Sequence, residues 1–151
     1  MAEVTLTIKN NNKLNSSELI TIMQARVKVF VVEQNCAYQE VDDEDFNARH
    51  VYLTNDHGLV AYTRIISDDD PNYIRFGRVL VAKSYRHQQF GRQIVTETIK
   101  EIRRLYPEKD IKIGAQNYLR NFYESFGFQA VSDVYLEDDI PHIDMILSED
   151  H

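Results

Sequence analysis

Hydrophobic and polar positions follow two periods along the chain, and together they predict a mixed α/β fold. Apolar and polar residues alternate over 4–8, which is typical of a strand buried on one face. Apolar residues over 19–30 instead recur every three to four positions. This spacing predicts an amphipathic helix over residues 17–31, with Ser16 or Ser17 as its N-cap.

The remaining elements follow from the same two periods and from turn residues. Asn, Asp and Gly within 55–58 predict a hairpin turn, and Pro107 predicts the end of a helix. Between the first helix and the hairpin, residues 33–45 form an acidic loop. The predicted segments are strands over 49–54, 59–66, 72–81 and 111–114, helices over 88–105 and 117–125, and a closing pair of strands over 128–134 and 142–147. They predict a single α/β domain over 1–151, with a mixed, mostly antiparallel sheet.

A basic turn between a strand and a helix is the first candidate for chemistry. Within residues 77–95, an apolar run leads into the turn, and Arg86 and Arg92 bracket it. The first N–H groups of a helix lack intrahelical partners and carry partial positive charge, so a pyrophosphate could bind there between two guanidiniums. The alternative is a solvated helix start. Neither a P-loop nor a dinucleotide-binding glycine motif is present.

A second informative segment covers residues 114–128. It begins at the end of an apolar strand, continues as a short helix and stops at Gly127. Tyr123 lies inside an aromatic group that includes Phe122, Phe126 and Phe128.

These two segments together resemble the GNAT acetyltransferases. Residues 79–95 are similar to the acetyl-CoA-binding motif of that family, and residues 121–128 to its second signature, in which a tyrosine stands beside the thioester sulfur. The likeness narrows to the ElaA-like subgroup through residues 29–42, 49–50, 61–64, 77–79, 114–116 and 140–143. One position departs from the family pattern, because Gln89 stands where the first glycine is usual. A glycine there permits positive φ or close approach of the backbone to phosphate.

The resemblance implies a GNAT fold with a central sheet of six to seven strands flanked by helices. In that fold the strands ending at Val81 and Gly114 splay apart, and the pantetheine arm of acetyl-CoA fills the gap like an added strand. Asn117 has an alternative role as a helix cap. The residues implied to bind acetyl-CoA are Val79, Leu80, Val81, Arg86, His87, Gln88, Gln89, Phe90, Gly91, Arg92, Asn117, Asn121 and Phe122.

The activity implied is acetyl transfer from acetyl-CoA to a primary amine, on a small molecule or a peptide, by direct attack on the thioester. Tyr123 is the candidate general acid, since a phenol pKa of about 10 is near that of a thiol. The alternative is a tyrosine that only packs against its phenylalanine neighbours.

The general base stays open. Many relatives carry a carboxylate on the strand before the CoA turn, where this chain has Arg75 and Arg78. His142 and Glu33 are candidates, and only geometry can choose among the possible bases. Histidine titrates in the neutral range, so His142 is a candidate base or substrate contact, and the alternative is a structural histidine. Further candidate bases are Glu40, Asp42, Asp43 and His50.

Composition limits the partners. The 17 Lys and Arg and 24 Asp and Glu residues give a net charge of -7, which argues against nucleic acid or an anionic membrane surface as partner. The single cysteine, Cys36, permits no internal disulfide, and no signal peptide opens the chain, so a cytoplasmic location is expected. No metal site is expected, and a homodimer is compatible with the sequence. Rival interpretations are a non-catalytic CoA-binding regulatory module and a protein-interaction module.

Overall fold

The computed structural model describes residues 3–149, and this part of the chain forms eight strands and three α-helices. The helices are α1 (Ser16–Val27), α2 (Phe90–Leu105) and α3 (Arg120–Glu124). The strands are β1 (Thr5–Asn10), β2 (Arg49–Asn55), β3 (Gly58–Ser67), β4 (Tyr73–Val81), β5 (Asp110–Gln116), β6 (Gln129–Ala130), β7 (Tyr135–Glu137) and β8 (Ile140–Leu147).

All the strands belong to one sheet in the order β1-β2-β3-β4-β5-β8-β6, and β7 also pairs with β8. Only β4 and β5 are parallel, whereas the other pairs are antiparallel. The predicted mixed, mostly antiparallel α/β sheet is therefore confirmed. The helices cover both faces: α2 packs Ile94, Val95 and Ile102 on one, and α1 packs Ile22 on the other.

The number of strands exceeds the predicted six to seven because the closing segment is divided. Instead of one strand over 128–134, the chain forms the two-residue β6, leaves the sheet and returns as β7. The β7–β8 turn consists of Asp138 and Asp139, whose φ angles are 50° and 64°. Positive φ at both central residues is the geometry that matches the twist of a two-residue hairpin.

Both ends of α1 differ from the prediction. Asn15, rather than Ser16 or Ser17, is the N-cap: its side chain accepts from the Glu18 N–H at 2.8 Å, and the Glu18 carboxylate accepts from the Asn15 N–H at 2.9 Å. This reciprocal capping box satisfies two helix-end donors at once. The α-helix ends at Val27, and the chain continues as a π-helix over Lys28–Glu33.

Two other predicted helices are shorter than expected. Helix α2 begins at Phe90 instead of residue 88, because Gln89 has a left-handed backbone. The segment 117–125 is divided into a 3-10 turn, Asn117–Leu119, and the short α3. Asn117 caps neither of them, since neither helix start has a side-chain cap hydrogen bond.

His50 on β2 is fully buried and serves the fold. Its ring nitrogens contact the Tyr62 hydroxyl at 2.5 Å and the Asn11 side-chain oxygen at 3.0 Å. Burial, and then the positive charge of Arg26, lower the pKa of His50 to about 4. The ring is therefore neutral at pH 7, and its two hydrogen bonds already use both ring nitrogens.

Mild acid should destabilise the fold through His50. The unfolded histidine takes up a proton below its ordinary pKa of about 6.5, whereas the folded one does so only near 4, so this contribution is complete above pH 6.5 and is lost as pH falls toward 4. From pH 7 to 5 we expect the free energy of unfolding to fall by about 2 kcal/mol through this group. Urea unfolding of His50→Gln should lose that part of the pH dependence, while the exposed His57→Gln should retain it. Equal pH dependence in wild type and His50→Gln would contradict the assignment.

Candidate active site between strands β4 and β5

The parallel strands β4 and β5 are paired at one end only. Their register covers Tyr73–Arg75 against Asp110–Lys112, and β4 and β5 do not pair with each other beyond these residues, although β4 stays paired with β3 and β5 with β8. On its other side β4 carries a bulge: the register with β3 passes from Gly77 directly to Leu80, and the bulged Arg78 has a φ of 52°. The second half of β4 is thereby turned away from β5, and one backbone edge of it stays open.

A cavity of about 780 Å³ occupies this gap. Its walls are the two strands, the π-helix, the loop after it and the β7–β8 turn. Of the predicted site residues it brings together Glu33, Val79, Leu80, Val81, Arg86, Tyr123 and His142. The rest of the basic turn, His87 to Arg92, and the side chains of Asn117, Asn121 and Phe122 lie outside its lining.

The basic turn nevertheless adjoins the cavity. A Cβ on Gly91 would lie 3.7 Å from the Val81 side chain and 4.0 Å from the Phe122 ring, so the start of α2 packs directly on β4 and α3. His87 and Gln89 both have left-handed backbones, with φ of 66° and 69°. No side chain caps α2, and its first N–H groups therefore remain a place where an anion can bind.

The two arginines that bracket the turn already have protein partners. Arg86 donates to the Val81 carbonyl at 2.9 Å and to the Glu33 carboxylate at 2.7 Å. Arg92 donates to the Ser125 hydroxyl at 2.6 Å and lies 4.5 Å from the Phe126 ring centroid, which joins α2 to α3. Contact of either arginine with pyrophosphate remains a prediction.

Tyr123 is both packed and part of the cavity wall. Its ring is 4% exposed and makes edge contacts with Phe122 and Phe128, at centroid distances of 5.1 and 5.9 Å. Burial raises the pKa of the phenol far above its ordinary value, so it keeps its proton at neutral pH. The packing interpretation and the chemical one are compatible, because the aromatic neighbours fix a side chain that still lines the cavity.

A buried ionic network holds the acidic loop against the sheet. Arg26 on α1 has no exposed surface and donates to Glu40 and Asp45, each at 2.6 Å. Burial alone would raise the pKa of the Asp45 carboxyl, but the hydrogen bond and charge of Arg26 hold it at about 2. Sequence reasoning missed this network. Its one local signal is an arginine four residues after Ile22, on the apolar face of the helix.

The same network engages two further acidic candidates for the general base, Glu40 and Asp42. Arg64 forms two hydrogen bonds to Asp42, at 2.7 and 3.0 Å, and Arg78 contacts the Glu40 carbonyl and the Asp42 carboxylate at 3.0 and 3.3 Å. Asp43 lies outside the cavity lining, as does the buried His50 described above.

His142 lines the cavity, and one of its ring nitrogens is hydrogen-bonded to the backbone. Its Nδ1 donates to the Ile140 carbonyl at 2.7 Å, and the ring stacks on Tyr135. In the neutral ring this leaves Nε2 as the nitrogen with the lone pair. Nε2 lies 3.7 Å from the carboxylate of Glu137, the last residue of β7.

Residues 18–149 match the family model for the acetyltransferase (GNAT) domain. The chain belongs to the GNAT acetyltransferase family. It is 43% identical to Escherichia coli protein ElaA over 139 residues, which is 90% of this chain and 91% of that protein. The crystal structure of E. coli ElaA superimposes with a TM-score of 0.90 at 40% identity, covering 95% of this chain and 99% of the other. The predicted GNAT and ElaA-like resemblance is confirmed.

A second solved relative is described as an acyl-CoA N-acyltransferase from Pseudomonas aeruginosa. It superimposes with a TM-score of 0.88 at 37% identity, over 95% of this GNAT chain and 99% of the other. Within residues 3–149, no helix has the length and apolarity needed to cross a membrane, and no group of three or more His, Cys, Asp or Glu side chains is arranged to hold a metal ion.

The left-handed backbone at Gln89 predicts that glycine is better there for stability. Gln89→Gly removes the strain of a side chain at a φ of 69°, which outweighs the greater freedom of glycine in the unfolded chain, and should raise the free energy of unfolding by about 0.5 kcal/mol. Gln88→Gly is the matched control: it lacks positive φ and should lower that free energy by about 0.5 kcal/mol. Urea unfolding measures both, and destabilisation by Gln89→Gly would contradict the strain.

Proposed function

We propose that this GNAT protein is an acetyl-CoA-dependent N-acetyltransferase that acts on a primary amine of a small molecule or peptide. The observation that carries the proposal is the open backbone edge of β4, which lies between Tyr123 at the cavity and an uncapped helix start at the basic turn. An extended thioester donor needs such an edge, an anion site at one end and a proton donor at the other.

In the proposed complex the pantetheine arm pairs with the main chain of Val79 and Val81 as an added strand. The pyrophosphate is held by the N–H groups of residues 87–92 at the start of α2, with the charge of Arg86 nearby. Phosphate and Glu33 compete for that guanidinium, and the Val81 carbonyl must exchange its Arg86 hydrogen bond for one to pantetheine. Leu80, Asn117, Asn121 and Phe122 complete the proposed donor site.

The proposed reaction is a single transfer. The amine lone pair attacks the thioester carbonyl carbon, the C–N bond forms and the C–S bond breaks, and the amine loses one proton to a base. Tyr123 gives its proton to the departing sulfur and later regains one from solvent. Burial raises the pKa of the phenol, and it also disfavours a thiolate in the same surroundings. When the proton passes to sulfur the negative charge passes to the Tyr123 oxygen, and the proton that Tyr123 regains from solvent neutralises it.

His142 is the proposed base. Its Nε2 is the unprotonated nitrogen of the neutral ring, and its side chain lines the cavity. Glu33, the second candidate, also lines the cavity, and its carboxylate is paired with Arg86 at 2.7 Å.

Tyr123→Phe should separate catalysis from donor binding. Removing only the hydroxyl should lower the rate of thiol release from acetyl-CoA by about 10²- to 10⁴-fold, the usual contribution of a general acid. The thermal shift caused by acetyl-CoA should stay as in the wild type, because the ring packing is kept. Tyr106→Phe, outside the cavity lining, is the control. Unchanged turnover in Tyr123→Phe would refute its role as the acid, and no release by wild type with any amine would leave a CoA-binding module.

His142→Gln should slow the same reaction. If His142 takes the proton from the amine, His142→Gln loses about 10²-fold in kcat/KM, because glutamine has no group that can accept it. Glu33→Gln serves as the comparison and should keep most of the wild-type rate. The opposite pattern would assign the base to Glu33.

A further inference from the structure

Arg75 differs from the other arginines of the cavity. Arg64 and Arg78 are hydrogen-bonded to Asp42, and Arg86 to Glu33. For Arg75, the one carboxylate within 4.0 Å among residues 3–149 is Asp68, whose oxygen lies 3.7 Å from Nε. This contact makes no hydrogen bond. Arg64 and Arg78 share with Arg75 a buried Nε without a partner, but their terminal nitrogens are hydrogen-bonded, whereas no nitrogen of Arg75 donates a hydrogen bond within residues 3–149.

The position of Arg75 explains why a ligand can reach it. It is the last residue of β4 paired with β5 before the gap opens, and its side chain is 39% exposed. Its neighbour Phe76 points into the core beneath α2, so Arg75 points to the opposite face of the sheet. Gly114 on β5 lies on that face, and a Cβ there would be 3.2 Å from the Tyr135 hydroxyl, 3.8 Å from Asp144 Oδ1 and 3.9 Å from Arg75 Nη2. The Asp144 carboxylate forms no ion pair with Arg75 and already accepts a hydrogen bond from Tyr135 at 2.6 Å. The absent side chain of Gly114 keeps the space beside the guanidinium open.

The donor does not account for a cation at this place. In the proposed function the phosphates lie at the start of α2, beyond the far end of β4, and the pantetheine arm along the gap is uncharged. A guanidinium that lines a cavity and has no hydrogen bond to the protein from any of its nitrogens is free to bind an acceptor on a ligand. The charge therefore points to the second substrate.

We propose that Arg75 binds a carboxylate on the acceptor, so that the acceptor is an amino acid or another small primary amine that carries a carboxylate. This inference rests on the proposed function. The planar fork of a guanidinium matches the two oxygens of a carboxylate. Glu137 and Asp138 line the same cavity near His142, and their negative charge suits the amine end of such a molecule.

The test compares acceptors that differ only in the carboxylate. Thiol release from acetyl-CoA is measured with amino acids, with their carboxamides and with the corresponding decarboxylated amines, for wild type and Arg75→Met. The wild type should prefer the amino acid in kcat/KM by about 10- to 100-fold, the range expected for a hydrogen-bonded charge pair. Arg75→Met should abolish this preference through KM for the acceptor, leaving KM for acetyl-CoA unchanged. Arg120→Met, an exposed arginine of α3 outside the cavity lining, should behave as wild type.

Arg75→Lys is the second variant, used if Arg75→Met does not fold. Lysine keeps the positive charge but lacks the planar pair of N–H groups of a guanidinium. This variant should therefore retain a reduced preference, in kcat/KM, for the acceptor that carries the carboxylate. Equal kcat/KM for amino acid, amide and amine in the wild type, or a preference that survives in Arg75→Met, would overturn the inference while leaving N-acetyl transfer intact. No release with any acceptor would overturn both, so the two failures are distinct.

Discussion

Strand β4 must leave its parallel neighbour β5 for this site to exist. Hydrogen-bonding groups at the edge of a strand are stable only if another chain, water or a ligand satisfies them. Here pairing stops after Arg75, and the bulge at Arg78 keeps β4 attached to β3 while its other edge turns outward. The sheet therefore remains continuous at its base and has an unfilled place for one extended chain. In the proposed function, that chain is the pantetheine arm of acetyl-CoA.

The bulge also connects the gap to the ionic network. Arg78, at the bulge, reaches Glu40 and Asp42, while Arg26 supports the same loop from beneath. Buried ion pairs contribute little net stability, but removing one partner leaves an uncompensated charge and is costly. The network therefore constrains more than it stabilises. It fixes the loop as one wall of the cavity. The carboxylates of Glu40 and Asp42, which the sequence offers as candidate bases, instead pair with arginines.

Long elements with regular periods could be predicted from the sequence, and short ones could not. Strands β2 to β4 and the end of α2 before Pro107 agree closely with the periodicity, since alternation and proline act locally. Regular helices and strands are interrupted where non-glycine residues take positive φ, as at Gln89 and in the Asp138-Asp139 turn. Residue type gives only a weak signal of this backbone conformation. The motif segments identified the family. Pairs such as Arg86 with Glu33, 53 positions apart, leave no local pattern and required the folded chain.

That ion pair also determines how the two substrates of the proposed reaction are related. Glu33 ends the π-helix and lines the cavity in which the acceptor is proposed to bind, whereas Arg86 belongs to the turn that is proposed to hold the donor phosphates. Their side chains are 25% and 35% exposed, so the pair contributes at most about 1 kcal/mol. A pyrophosphate offers more charge and more acceptor oxygens to the same guanidinium, and it gains the N–H groups of α2 as well. In the proposed reaction, donor binding therefore takes Arg86 from Glu33 and frees a carboxylate on the acceptor side, which adds negative charge near the incoming amine.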